Sequence, residues 1–148
     1  MHTRKSSSPA PFYAPSRSIR WPRALLVWLC IVVVETIHGI LRRIFLTPWI
    51  GDLPARQIGV IVGSGLIFGV VWRCIRWIDA RHPRQQFAIG AVWVALIVAF
   101  EIGLGLALGY PHARIASDYD PTRGGWMGFG LLFLLCAPWL TAKARGLR

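Results

Sequence analysis

Four long apolar stretches, separated by proline, glycine and arginine, organise this chain. The first runs from about Trp21 to Leu46 and is broken by Pro48. The second begins after Pro54, at about Ala55, and fades at Arg73 and Arg76. The third, about Phe87 to Tyr110, is the longest uninterrupted one and its only charge is Glu101. The fourth, about Gly125 to Ala142, is short for a span and holds Pro138 near its end. A membrane-spanning helix needs about 20 mostly apolar residues. Backbone groups exposed to lipid must bond within their own segment, so stretches of this length are helices. The many short alternating strands of a β-barrel are missing. The pattern predicts an all-α fold: an integral membrane four-helix bundle with spans at about 21–46, 55–76, 87–110 and 125–142. Residues 1–20, rich in Ser and Pro, read as a disordered tail, and 143–148 as a short C-terminal tail.

Composition supports the bilayer as solvent. Of the 148 residues 55% are hydrophobic and 16% charged, which is too apolar for an ordinary soluble domain. The net charge of +11 does not point to nucleic acid, because the basic residues flank apolar segments and form no extended stripe. Their placement reads as topology. The two termini and the middle connection hold twelve Lys and Arg, against five in the two opposite connections, so both termini are expected in the cytoplasm. Trp21, Trp77 and Trp139 fall near the expected inner ends, and Trp49, Tyr110 and Trp126 near the outer ones, as an interfacial belt requires. Trp28 is read as the one tryptophan clearly within a span. The first segment exceeds a signal-peptide core and no small-x-small cleavage site follows it, so it is expected to be a retained anchor. The 15 Arg against 2 Lys fit a GC-rich bacterial genome. The localisation expected is the cell inner (plasma) membrane.

Cys30, Cys74 and Cys136 lie on different helices toward the cytoplasmic half, without paired spacing. This excludes four-helix membrane oxidoreductases of the disulfide-generating kind, which need cysteine pairs on the outer side; packing thiols are the simpler reading. Gly59 and Gly63, then Gly65 and Gly69, make small-xxx-small pairs on the second helix, and Ala91, Ala95, Ala99 and Gly103 a continuous stripe on the third. Small residues four apart let helix backbones approach closely, so these stripes are expected to serve contacts within the monomer ahead of a dimer interface.

The chemistry is concentrated on the first helix. Glu35, His38 and Arg42 share one narrow helical stripe, with Trp28 on the same face. At 1.5 Å per residue Glu35 lies ~18 Å along the helix from Arg23, and Glu101 ~21 Å from Phe87, so both carboxyl groups reach the outer half at similar depth. Ionised groups in a bilayer normally face the bundle interior and find partners. Glu35, His38 and Glu101 are therefore expected to meet there, with Arg42 or Arg43 capping the cluster.

The most economical expectation is a structural or accessory membrane component of undetermined molecular function, in which this cluster is interhelical glue. One alternative is a proton-coupled small transporter. At the level of four helices and a Glu on the first helix the chain resembles the small multidrug transporters, although its charge bias departs from their antiparallel dual topology. A second alternative is a metal-dependent enzyme with Glu35, His38 and Glu101 as ligands, since Glu-x-x-His plus a second Glu resembles half of a di-iron carboxylate pattern. The missing half would have to come from His112, Asp118 or Asp120 in a connection. An enzyme acting on a lipid or periplasmic substrate would use Arg42, Arg43 or Arg123 to bind an anionic group. Ser64, between Gly63 and Gly65, reads as a packing residue. In the outer connection Asp118, Tyr119 and Arg123 could close over the cluster, while Asp120 before Pro121 reads as the N-cap of the last helix. The partners expected are the lipid bilayer and a homo-oligomer or larger membrane complex, with no nucleic acid; no cofactor is assigned beyond the candidate metal.

Overall fold

The computed structural model describes residues 18–109, 111, 116 and 119–147. The described chain is all-helical, with four helices long and apolar enough to span a membrane. They are α1 (Trp21–Ile50), α2 (Asp52–Ile78), α3 (Pro83–Ala107) and α4 (Met127–Ala144). The expected disordered tail lies almost wholly outside the described residues.

Local chemistry explains most of the boundaries. Helix α1 opens with Pro22 in its first turn, where a missing N–H costs nothing. It does not break at Pro48, as the sequence led us to expect, but runs on to Ile50 through a π-helical turn at Arg42–Leu46. Pro48 cannot donate to the Ile44 carbonyl and its ring presses on that carbonyl. The preceding turn widens, and both the N–H and the hydroxyl of Thr47 are directed to the Arg42 carbonyl. A single residue, Gly51 at φ +86°, then turns the chain into α2. At its other end α2 stops at Asp79, which adopts the left-handed conformation at φ 60° and pairs with Arg81 at 2.9 Å. A capping box between His82 and Gln85, with Pro83 behind it, starts α3. Asp120 and Pro121 do not start the last helix: Asp120 caps a short 3-10 turn, Pro121–Arg123, which ends at Gly124, and α4 begins only at Met127.

Around the bundle the order is α1, α2, α4, α3, with α4 packed on both α2 and α3 and α1 mainly on α2. Contact between α1 and α3 closes the ring and is the weakest of the four. The two ends of the bundle differ. We call the end that carries the 79–82 connection and the α4 C-terminus the terminal end, and the opposite one the loop end. Toward the terminal end Val27, Ile31, Val71, Ile75, Ile89 and Trp93 are buried together in one cluster. Trp93 is fully buried and donates its Nε1 hydrogen to the Ala24 carbonyl at 3.0 Å, tying α3 to α1. The tryptophan inside the bundle is thus Trp93, rather than Trp28 alone; Trp28 is only partly buried beside that core. Gln86, 2% exposed, donates to the Ala80 carbonyl at 2.9 Å and so holds the 79–82 connection against α3.

Three aromatic clamps finish the terminal end. Arg23 lies over Trp77 and donates to its carbonyl at 2.9 Å, Arg145 lies over Trp72 and donates to its carbonyl, and Lys143 lies over Trp139. Arg23 and Arg145 thus reach carbonyls in the C-terminal part of α2, where cations complement the helix dipole.

The small-residue stripes do not all serve packing. Gly65, Gly69 and Gly103 have nothing near the position of a side chain, and Ala91, Ala95 and Ala99 are exposed, so these faces point out of the bundle. The tight crossing is at Gly90, where a methyl group would lie 2.1 Å from the Leu135 carbonyl oxygen. That obstacle is backbone and cannot rotate away. Gly90→Ala is expected to destabilise the bundle by about 1–3 kcal/mol, or to prevent its assembly, whereas Gly65→Ala is expected to be neutral or slightly stabilising. Thermal unfolding in detergent followed by circular dichroism checks both; equal melting of the two variants would refute the assigned crossing.

Candidate functional site

Beyond Ile31 none of the described residues of α1 is buried, and the bundle opens into a cavity of about 520 Å³ at the loop end. The opening follows from glycine. Positions facing it are Gly59 and Gly63 on α2, Gly105 on α3 and Gly130 on α4. Without side chains there, the helices leave volume where a larger residue would fill it. Ile31, Ile67, Ile97 and Leu134 form an apolar floor continuous with the core of the terminal half.

Polar side chains of α1 occupy this glycine face. A methyl group at Gly63 would lie 2.7 Å from Glu35 Oε2, and one at Gly59 would lie 2.7 Å from Arg42 Cδ. Glu35 and Arg42 therefore rest directly on the α2 backbone. The Gly59/Gly63 pair, expected to bring two backbones together, here seats two charged side chains. His38, between them on the stripe, places Nδ1 3.3 Å from Glu35 Oε2. The partner of Glu35 Oε2 is thus one turn away on its own helix, and Glu35 Oε1 is buried without a hydrogen-bond partner. Among the described residues no carboxylate pairs with the Arg42 guanidinium.

Further polar groups surround the mouth. Arg43, Tyr119 and Glu101 line the cavity, and each has an interaction partner of its own. Asp52 and Arg56 also line it and pair with each other at 3.3 Å. Of the residues singled out from the sequence, Glu35, His38, Arg42, Glu101 and Tyr119 line one cavity. Asp118 and His112 lie outside the described residues. Arg123 does not line the cavity and pairs with Asp120 at 3.4 Å. Ser64 Oγ donates to the Val60 carbonyl at 2.7 Å, so its hydroxyl is occupied within α2. Trp28 lies on the helix face as expected but below the cavity floor.

Asp52 and Arg56 are not among the candidate residues that the sequence singles out, yet both line the cavity. A signal existed: Asp52, Arg56, Gly59 and Gly63 follow at spacings of four, three and four, one face of a helix. Among the described residues, no group of three or more His, Cys, Asp or Glu is placed to hold a metal ion. Glu35 and His38 form a pair, and Glu101 does not complete a triad with them. What the arrangement offers is an amphipathic hollow, with acidic, basic and imidazole groups on its walls and branched aliphatics below.

Outside the cavity, Asp120 accepts hydrogen bonds from the Thr122 hydroxyl at 2.6 Å and from its backbone N–H at 2.9 Å. The hydroxyl bond first, then the N–H, holds the Asp120 carboxyl below its ordinary range. A depressed carboxylate stabilises the folded turn above its unfolded value, and that contribution is lost as pH falls through the folded one. Thr122→Val is expected to raise the Asp120 titration midpoint toward that of a free aspartate, read from carboxyl chemical shifts over acid pH; an unmoved midpoint would rule out the Thr122 bond as its cause. No family model matches this chain, and no curated protein or solved structure is similar to it.

Proposed function

We propose that the chain is a multi-pass inner-membrane protein, with both termini in the cytoplasm, whose cavity binds a small amphipathic molecule in the outer half of the bilayer. The twelve-to-five distribution of Lys and Arg supports this orientation, which turns the loop end outward. The Trp–Arg and Trp–Lys clamps at the terminal end fit a headgroup region on the cytoplasmic side.

The observation that carries the binding reading is the cavity itself. A mostly apolar hollow of about 520 Å³ with a few convergent polar groups has the size and character of a small-molecule site. Glue between helices would instead bring the polar side chains into contact across a filled interface. Here Glu35 bonds within its own helix, beside empty volume. A carrier is the second reading, favoured by the one-sided shape: open at the loop end, closed at the other by Trp93, Ile31 and Ile75. In that reading Glu35 and His38 are the proton-handling pair. An accessory subunit without a ligand is the remaining one.

Leu131 lines the cavity and has free volume beside it, so Leu131→Trp should occupy the hollow while leaving the helices in place. Protein purified in mild detergent is expected to retain a small molecule near one per chain by mass spectrometry, at least several-fold less in Leu131→Trp. Equal content in both proteins, or none in either, would remove the binding reading and leave the accessory one. Reporter fusions after Gly51 and at the C-terminus test the orientation: activity of a cytoplasm-dependent reporter is expected at the C-terminus and not at Gly51.

A further inference from the structure

We infer that the ligand is a zwitterionic membrane lipid bearing a primary ammonium, which enters sideways between α1 and α3 and leaves its acyl chains in the bilayer. This rests on the cavity being a ligand site and adds the ligand's class and route.

The route follows from where the lining is exposed. Thr36 and Ile40 on α1, and Phe100, Glu101 and Leu104 on α3, line the cavity and are exposed. They lie on the two adjacent helices with the least mutual contact, which meet toward the terminal end where Trp93 reaches Ala24. The hollow is therefore open along the α1–α3 seam as well as at its end. The edges of that seam at Ile40, Phe100 and Leu104 are apolar, which suits acyl chains and disfavours a fully hydrated solute.

The head group follows from what the walls leave unsatisfied. Asp52 and Arg56 neutralise one another, and Arg43 and Glu101 have partners. Two groups remain on the glycine face. The Arg42 guanidinium has no described carboxylate, and the Glu35 carboxylate has one long contact to His38 and no partner at Oε1. A guanidinium offers five N–H donors matched to a phosphate, whereas a carboxylate only accepts. Their seats, Gly59 and Gly63, are four residues apart on α2, ~6 Å along the helix. A phosphodiester joined through two carbons to an ammonium presents the complementary pair at a similar scale, with N–H donors for Glu35. A purely anionic head would leave Glu35 Oε1 without a donor and repel the carboxylate; a quaternary ammonium has no N–H to give.

Delipidated protein titrated with phosphatidylethanolamine, phosphatidylcholine, phosphatidylglycerol or soluble glycerophosphoethanolamine, and read by native mass spectrometry, tests this. Wild type is expected to bind one phosphatidylethanolamine with about tenfold preference over the other two lipids, the scale of one charge-assisted hydrogen bond. Glu35→Gln should bring phosphatidylethanolamine and phosphatidylglycerol to parity, and Arg42→Gln should weaken both. Leu104→Trp, at an exposed edge where folding is not at stake, should slow lipid uptake. Equal occupancy by all three lipids, or a preference unchanged in Glu35→Gln, overturns the head-group assignment. Binding of glycerophosphoethanolamine as tight as that of the lipid, or uptake unchanged in Leu104→Trp, overturns the lateral route. Should no lipid bind selectively while wild type still retains another molecule that Leu131→Trp loses, this inference fails and the cavity reading stands. With nothing retained at all, both fail.

Discussion

The loop half of this bundle depends on the bare backbone of α2 at Gly59 and Gly63. Helices that are apolar on every side pack wherever van der Waals contact is best, and a glycine pair is usually where two backbones close up. Here the space above the two glycines is taken by the Arg42 stem and the Glu35 carboxylate. Those side chains hold α1 away from α2 at that level, and the cavity is the volume left over. Larger residues at 59 and 63 would have no room for either group.

The terminal half follows the opposite rule. Gly90 lets α3 touch the α4 backbone at Leu135, and Trp93, Ile89 and Ile75 fill the remaining space. The indole of Trp93 reaches a carbonyl of α1 and so ties together the side of the ring with the least contact. A tightly packed half beneath an open half gives the molecule a floor and a mouth. Dispersion contacts of the kind made in the packed half are individually about 0.1–0.2 kcal/mol and add up only when nothing is missing between them.

Charge explains why the open half is tolerable. A charged residue at the centre of a membrane helix costs about 2.5–3.5 kcal/mol on insertion scales, and α1 carries Glu35 and Arg42 on one stripe with His38 between. These side chains line a hollow wide enough for water and do not face the apolar outer surface of the bundle, which lowers the cost of carrying them. Arg43 as well as Arg42 lines the cavity, since Arg43 continues the helical face of Thr36 and Gly39, which line it too.

Composition and spacing alone determined much of this protein. Four helices long and apolar enough to span a membrane were legible because stretches of about 20 apolar residues are read by length, not by partner. The Glu35–His38–Arg42 stripe was legible because helical periodicity is local. The continuation of α1 past Pro48 was not, since a π-turn can absorb a proline and composition does not say when. Asp120 and Pro121 carried a true cap signal, yet the turn they start is three residues long, because Gly124 ends it. Tertiary structure alone decided which small residues face inward: Gly63 and Gly65 are two positions apart with the same chemistry, and only the placement of α1 tells them apart. It also decided that Arg56 belongs with the site and Arg123 does not. Both judgements concern which helix lies opposite, a relation between distant parts of the chain that no local pattern of residues encodes.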